Sequence, residues 1–398
     1  MLSSRQLFLQ YIGQTSDTPL MLEIESAEGI WLYSSDGRKY ADLISGVSVS
    51  NIGHRHPHVI QAVKEQLDKH MHLMVYGEYI QAPQVKLGKL LADHLPAKLN
   101  CTYFVNSGTE AIEGAMKLAK RYSGRSEIIA FRKGYHGSTQ GALSILGDEE
   151  YKNSFRPLLP DITFLEFNNF EDLEKINKGT ACVIVEPIQA EAGVRLPHEN
   201  FLGTLREKCT ETGTLLVFDE IQVGFGRTGY LFSFMDRGVE PDILALAKSL
   251  GGGLPLGAFI SSHEILSAFK TKPVLGHITT FGGHPVSCAA GLASLEVLLK
   301  EDIIEQVRSK EQLFRENLVH PLIKEIRGRG LLLAVELGDK ELVYKVIRKG
   351  LEKGIVLDNF LFCNTAFRIS PPLTITRKEI VEVCGGVREA MGDVKRDA

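Results

Sequence analysis

The chain lacks paired cysteines, long apolar runs, blocks of one charge and low-complexity segments, and each absence closes off a class of function. Its six cysteines, at positions 101, 182, 209, 288, 363 and 384, show neither CxxC pairing nor metal-ligand spacing. Most lie within apolar runs, so they read as reduced packing residues. With 45 Lys and Arg against 49 Asp and Glu, interspersed, the formal charge is −4, which argues against nucleic acid or an anionic membrane as partner. The start, MLSSRQLFLQYIGQTSD, has no charged region leading into a long apolar run, and no stretch is long enough to span a bilayer. A cytoplasmic protein acting on small metabolites is the expectation. What is present is bulk: 398 residues, 44% of them apolar, leave room for two or three domains around a large core.

Residues 1 to about 50 open with a short amphipathic helix (Gln6 to Ile12) and a hairpin turning at Ser35-Asp36-Gly37. Pro57 opens the next helix. His54, His56 and His58 suggest a metal site by their spacing, but no neighbouring Cys, Asp or Glu completes a ligand set. From Val85 to Ile260 apolar strands alternate with helical stretches: TYFV, EIIAF, ACVIV, TLLVF, DILAL and GAFIS. Continuous apolar strands separated by helices imply a mostly parallel sheet covered on both faces, with ligands at the carboxyl ends of its strands. Asn106-Ser107-Gly108, Glu186-Pro187, Asp219-Glu220 and Lys248 all fall at such ends. Beyond Cys288 a long helical stretch (289–317) leads into IRGRGLLLAVEL, an amphipathic helix and FRISPPLTITRKEI, where strand and helix alternate again.

The chemistry starts from DILALAKSLGGG, where an apolar run ends at Lys248 and a triple glycine follows. Desolvation disfavours the charged form of such a lysine and leaves an amine able to attack a carbonyl, while the glycines admit a close ligand. Ser107-Gly108-Thr109, between a strand and a helix, is a phosphate-binding turn, although the same sequence serves as a plain helix cap. Asp219 ends an apolar strand, and burying that carboxylate is costly unless it meets a cation such as a protonated ring nitrogen. With an aromatic at Tyr135, these are the requirements of pyridoxal phosphate: an amine for its aldehyde, an acid for its pyridinium, and donors for its phosphate.

Longer motifs carry a resemblance. GVSVSNIGHRHPHV, FVNSGTEAIEGAMKLA, FRKGYHGSTQGALS, VEPIQAEAGV, LLVFDEIQVGFGRTG, DILALAKSLGGGLPLGA, TTFGGHPVSCAA and FRISPPL resemble the class III (subgroup II) aminotransferases, such as the ornithine and acetylornithine enzymes. The resemblance covers almost the whole chain. It implies fold type I of the pyridoxal-phosphate enzymes: an α/β protein whose large domain (51–288) has a mostly parallel seven-stranded sheet covered by helices. A smaller α/β domain would be built from both termini, 1–50 and 289–398. It further implies that Ser107, Gly108 and Thr109 bind the phosphate and that Glu186 belongs to the cofactor site. Tyr135 would stack on the ring with His136 beside it, Asp219 would pair with the ring nitrogen, Gln222 would reach the ring hydroxyl, and Lys248 would hold the aldehyde carbon. Thr280 matches a threonine that reaches the neighbouring subunit's phosphate, so a homodimer with shared sites is implied. Arg368 matches the arginine that grips a substrate carboxylate, and Glu191 the glutamate that pairs with it when no carboxylate is present.

The implied activity is transfer of an amino group from an ω-amino acid or amine to a 2-oxo acid such as 2-oxoglutarate. A decarboxylase or aminomutase on the same scaffold, or a non-catalytic binding protein, would share the cofactor residues. In one respect the chain departs from the pattern. Ser138 replaces the arginine of the usual HGRT, and Val47 a tyrosine of some ornithine enzymes, so the donor's identity stays open. By position, Arg132 or Arg195 is a candidate to replace the missing cation.

Overall fold

The computed structural model describes residues 2–396. Helix α1 (Ser4–Tyr11) begins at Ser3, whose side chain accepts from Gln6 N while Gln6 reaches back to the Ser3 amide, a reciprocal cap. Strands β1 (Ile24–Glu28), β2 (Trp31–Ser34) and β3 (Lys39–Asp42) form an antiparallel ribbon, with Gly37 at φ 84° in the β2–β3 turn. Pro57 opens α2 (Pro57–Leu67), where its missing N–H costs no helical bond. The three histidines before and within this helix turn to separate acids. His54 Nε2 lies 2.9 Å from Asp42, His56 3.8 Å from Glu301 and His58 2.8 Å from Glu296. They do not converge, and no group of residues able to hold a metal ion occurs among the described residues.

The central sheet carries the chemistry. Its strands are β4 (Cys101–Val105), β5 (Glu127–Phe131), β6 (Ile162–Leu165), β7 (Thr180–Val185), β8 (Leu215–Asp219), β9 (Ile243–Leu246) and β10 (Gly257–Ser261), in the spatial order β4-β10-β9-β8-β7-β5-β6. Strands β6, β5, β7, β8 and β9 pair in parallel, and β10 runs antiparallel to both its neighbours. Every residue of β7, β8, β9 and β10 is buried, as two-sided helical cover requires of continuous apolar strands. The edge strand β6 is not among the six expected from the sequence. Three of its four residues are only partly buried, so its apolar run is short and its pattern weak. Helix α3 (Gly108–Ser123) follows β4 and lays Ile112, Ala115 and Ala119 against the sheet.

The expected long helix over 289–317 is two helices, α4 (Pro285–Lys300) and α5 (Ile303–Asn317), broken where Asp302 takes the left-handed region at φ 49°. Next comes the hairpin β11 (Glu325–Arg329) and β12 (Leu332–Glu336), with Gly330 at φ 60° in its turn. Helix α6 (Lys340–Glu352), β13 (Ile355–Val356), β14 (Asp358–Phe360), β15 (Cys363–Ile369) and α7 (Arg377–Arg396) complete the chain. Strand β13 pairs in parallel with β3, so the first and last quarters of the sequence share one sheet, while β11, β12, β15 and β14 form another. No helix among the described residues is long and apolar enough to cross a membrane. All six cysteines are free, four of them buried.

Gly257 is where the sheet meets the site. A Cβ there would lie 2.2 Å from the Ser107 carbonyl oxygen, a backbone atom with no room to retreat. Gly257→Ala is expected to lower stability by about 2 kcal/mol, the usual cost of overpacking. Urea titration of wild type and variant checks it, and an unchanged midpoint would contradict the close approach.

Candidate active site

At the carboxyl edge of the parallel strands lies a cavity of about 490 Å³ lined by Ser107, Gly108 and Thr109, Tyr135 to Ser138, Glu186, Asp219, Gln222 and Lys248. Every expected cofactor residue except Thr280 thus faces one space, from the ends of β4, β7, β8 and β9 and the loop after β5. Val49, Ile221, Ala247 and the segment 253–256 also line it. Ile221 had no strand signal to reveal it: β8 ends at Asp219, and Ile221 lies in the turn that follows, where its amide donates to Asp219 Oδ1.

At one end of the cavity, Ser107 caps α3, its Oγ accepting from Glu110 N at 3.3 Å. The first amides of the helix have no partner within it and, with the helix dipole, form a site for an anion. Glu110 reaches back to Asn106, accepting from both its backbone and side-chain nitrogens at 2.8 Å. Thr109 Oγ1 lies 2.6 Å from Thr139 Oγ1, which donates to Glu113 at 2.6 Å. A side chain at Gly137, φ 128°, would strike Thr109, so glycine keeps this wall open.

At the other end, Asp219 is almost fully buried. Its Oδ1 accepts from Ile221 N at 3.0 Å and its Oδ2 lies 2.7 Å from His136 Nδ1. Burial opposes charging of His136, but the bond and attraction to Asp219 outweigh it and raise its pKa. The imidazole therefore backs the carboxylate rather than lying beside Tyr135 as an independent contact, and its Nε2 is buried without a partner. Glu186 accepts from Tyr135 N at 2.9 Å and Ala190 N at 3.0 Å, and burial pushes its carboxyl up to about 7.

Lys248 stands between these ends. Its Nζ donates to Gln222 Oε1 at 2.9 Å, leaving Gln222 Nε2 buried and unpartnered. The backbone of Lys248 lies at φ 51°, a conformation that non-glycine residues hold only where the surroundings impose it, often at functional sites. Desolvation lowers its pKa to about 8, with Glu191 pulling the other way and Arg368 adding to the fall. Such an amine carries a far larger neutral, nucleophilic fraction at pH 7 than an ordinary lysine and is half neutral at about pH 8.

Arg368 and Glu191 are 2% and 5% exposed and form a pair, one guanidinium nitrogen lying 2.8 Å from both carboxylate oxygens. Arg368 Nε and Nη1 remain buried without partners. Glu191 also accepts from Leu361 N at 3.1 Å, and its own carbonyl accepts from Phe362 N at 3.0 Å. The Phe362 ring sits 6.4 Å from Tyr135 and 5.4 Å from Tyr151, an aromatic wall that sequence patterning alone does not reveal.

Three expected residues lie elsewhere. Thr280 is exposed and lines no part of this chain's cavity. Arg132 is exposed and paired with Glu166 at 3.1 Å, and Arg195 bonds Gln189 and lies over Phe167. Neither arginine is among the residues that line the cavity; nor are Arg368 and Glu191, but these two lie close enough to Lys248 to act on its charge.

Comparison with known proteins adds three findings. The family model described as aminotransferase class-III matches residues 12–391. An acetylornithine aminotransferase of Methanopyrus kandleri is 44% identical over 317 residues, covering 79% of this chain and 80% of that one. Another acetylornithine aminotransferase, of Methanocaldococcus jannaschii, is 37% identical over 95% of both chains. Among solved structures, an ornithine aminotransferase of Toxoplasma gondii, with partial occupancy of pyridoxal phosphate, superposes with a TM-score of 0.91 at 30% identity, covering 98% of this chain and 93% of that one.

The lowered pKa has a direct readout. Acylation of Lys248 by an amine-selective reagent, followed by peptide mass spectrometry, is expected to rise with pH through about 8, ahead of the exposed lysines. A profile matching the exposed lysines would contradict its desolvation.

Proposed function

Because the chain belongs to the class-III aminotransferases, we propose that it is a pyridoxal-phosphate-dependent transaminase. It moves an amino group from an ω-amino acid or amine, ornithine- or acetylornithine-like, to a 2-oxo acid, with 2-oxoglutarate the first candidate. One observation carries this: Lys248 and Asp219, at the ends of adjacent strands, line a single cavity whose far end is the start of α3. The orphaned donor on Gln222 fits a ring hydroxyl, and the first amides of α3, which the helix itself does not pair, fit a phosphate. When bound, the cofactor supplies an aldehyde for an amine and a protonated ring able to take up the electron pair of the donor's C–H bond.

The residues divide the remaining work. Asp219, braced by His136, holds the proton on the ring nitrogen. Ser107, Gly108 and Thr109 hold the phosphate, and Tyr135 covers a ring face. Lys248 Nζ, its pKa lowered by burial and already inside the cavity, would be the base that takes the proton from the donor carbon. Glu191 keeps Arg368 occupied while a donor with no carboxylate at the reacting end is processed. A 2-oxo acid then displaces Glu191 and engages the free guanidinium nitrogens in two-point fashion. The alternation suits one pocket serving two unlike substrates. Ser138 leaves the donor's far end without an arginine, which favours donors held there by shape and hydrogen bonds.

We further read Thr280 as offered to the phosphate of a second copy. Exposed apolar side chains flank it, Ile278 and Phe281, and Phe281 lies 4.8 Å from His72, whose neighbour Met71 is also exposed. A homodimer, cytoplasmic like the metabolites it serves, is the corresponding proposal.

Lys248→Ala is expected to abolish transamination and the visible absorbance of the bound cofactor while the fold survives, as checked by absorbance and circular dichroism. Turnover by this variant would overturn the proposal. Arg368→Ala is expected to raise KM for 2-oxoglutarate about 30-fold or more, the scale of losing one partner of a desolvated ion pair, with a much smaller change for a donor lacking a carboxylate. Steady-state kinetics with both substrates varied checks it, and equal effects would reject the role.

A further inference from the structure

The arginine of GFGRTG takes no part in the chemistry above, yet Arg227 is, with Arg368, the largest fully buried side chain among the described residues. It forms no ion pair among the described residues. Instead its guanidinium is spent on four neutral acceptors in three separate segments. Nη1 donates to Leu331 O at 2.9 Å and to Pro371 O at 2.5 Å. Nη2 donates to Ser45 Oγ at 3.1 Å and to Asn51 Oδ1 at 2.5 Å. Burying a guanidinium without a carboxylate is costly, and such a group persists where it fixes geometry.

The geometry concerned is that of Arg368. Pro371 follows β15 three residues after Arg368, and Leu331 immediately precedes β12, the strand that pairs with β15 and sets Ala334 opposite Arg368. Arg227 thus holds the ends of both strands that present the arginine. The third anchor is a turn, Ser45 to Ser48, whose four residues all lie in the left-handed region at φ 45°, 60°, 61° and 64°. Three of these are not glycine, so the turn stands only because its surroundings impose it. Ser45 Oγ accepts from Arg227 and donates to Ser370 O at 2.8 Å, and Ser370 N donates to Leu43 O at 2.7 Å. On the far side Asn51 O accepts from Leu373 N at 2.7 Å. The segment 43–51 is therefore stitched to 370–373 on both sides of Pro371, with Arg227 at the centre.

We propose that Arg227 is the positioning residue for carboxylate recognition: it fixes the β12 and β15 ends and the left-handed turn as one unit, and so sets the direction from which Arg368 meets a 2-oxo acid. The proposal rests on the transaminase assignment. It follows that a lysine would be a poor substitute, since a single ammonium with three donors on a flexible stem cannot hold four acceptors at once.

The test uses the holoenzyme of Arg227→Lys, which keeps the charge and loses the fork. Two quantities are read: KM for 2-oxoglutarate, and the dissociation constant of glutarate, a dicarboxylate with no keto group, from its perturbation of the cofactor spectrum. Both are expected to rise about tenfold, equivalent to ~1.4 kcal/mol. The half-reaction with an amine lacking a carboxylate is expected to change far less. Ser45→Ala and Asn51→Ala each remove one acceptor and are expected to give the same asymmetry at about threefold, which keeps the test available if Arg227→Lys fails to fold. Equal losses in both half-reactions, or unchanged glutarate affinity in every variant, would overturn it. Failure of the transaminase assignment looks different: wild-type enzyme would then show no donor-dependent spectral change at all.

Discussion

A lysine amine kept out of water at the end of an apolar strand is the constraint on which the rest of the structure depends. Strands β7, β8 and β9 are buried along their whole length, so the first polar side chains after them have nowhere to go but the cavity at their carboxyl ends. The same burial that drives the sheet together depresses the Lys248 pKa and raises that of Glu186. Stability and chemistry are drawn from one source, the exclusion of water from this edge, and the triple glycine after Lys248 lets the backbone turn away without filling the space.

Around that amine the buried charges are arranged so that each has a partner it can exchange. Asp219 has His136, Arg368 has Glu191, and Lys248 has the Gln222 carbonyl. None is a permanent cage: Gln222 Nε2, His136 Nε2 and two Arg368 nitrogens are left unsatisfied. Unsatisfied buried donors are expensive, and the two on residues that line the cavity, Gln222 and His136, mark where ligand groups are to be received.

Much of this was legible in the sequence because it is local. Lys248, Asp219 and Ser107 each sit at the last position of an apolar run, and a run with its end residue can be read without knowing the fold. Glu191 and Arg368 are 177 positions apart, so their pairing has no local signature and came only from the longer motifs. The same limit explains the errors. Arg132 and Arg195 lie near the right motifs in sequence, but Glu166 and Phe167, from the segment after β6, draw their side chains elsewhere. That segment follows the one strand whose weak, half-exposed pattern hid it. The helix expected over 289–317 failed at Asp302: α4 is buried nearly all round and α5 along one stripe only, and a single left-handed residue between two helical segments leaves no mark in composition. Phe362 was invisible for a different reason: its wall of rings is assembled from three distant loops.

The two-residue strand β13 has an effect on assembly out of proportion to its length. The ribbon of β1, β2 and β3 lies more than three hundred residues ahead of its fourth member, Ile355–Val356. Until more than three hundred further residues have been made, β3 offers unsatisfied amides and carbonyls along one side, and a stranded edge of that kind invites pairing with whatever chain is nearby. The nascent polypeptide therefore carries its own aggregation hazard from the making of β3 until that of β13, and only then is it discharged.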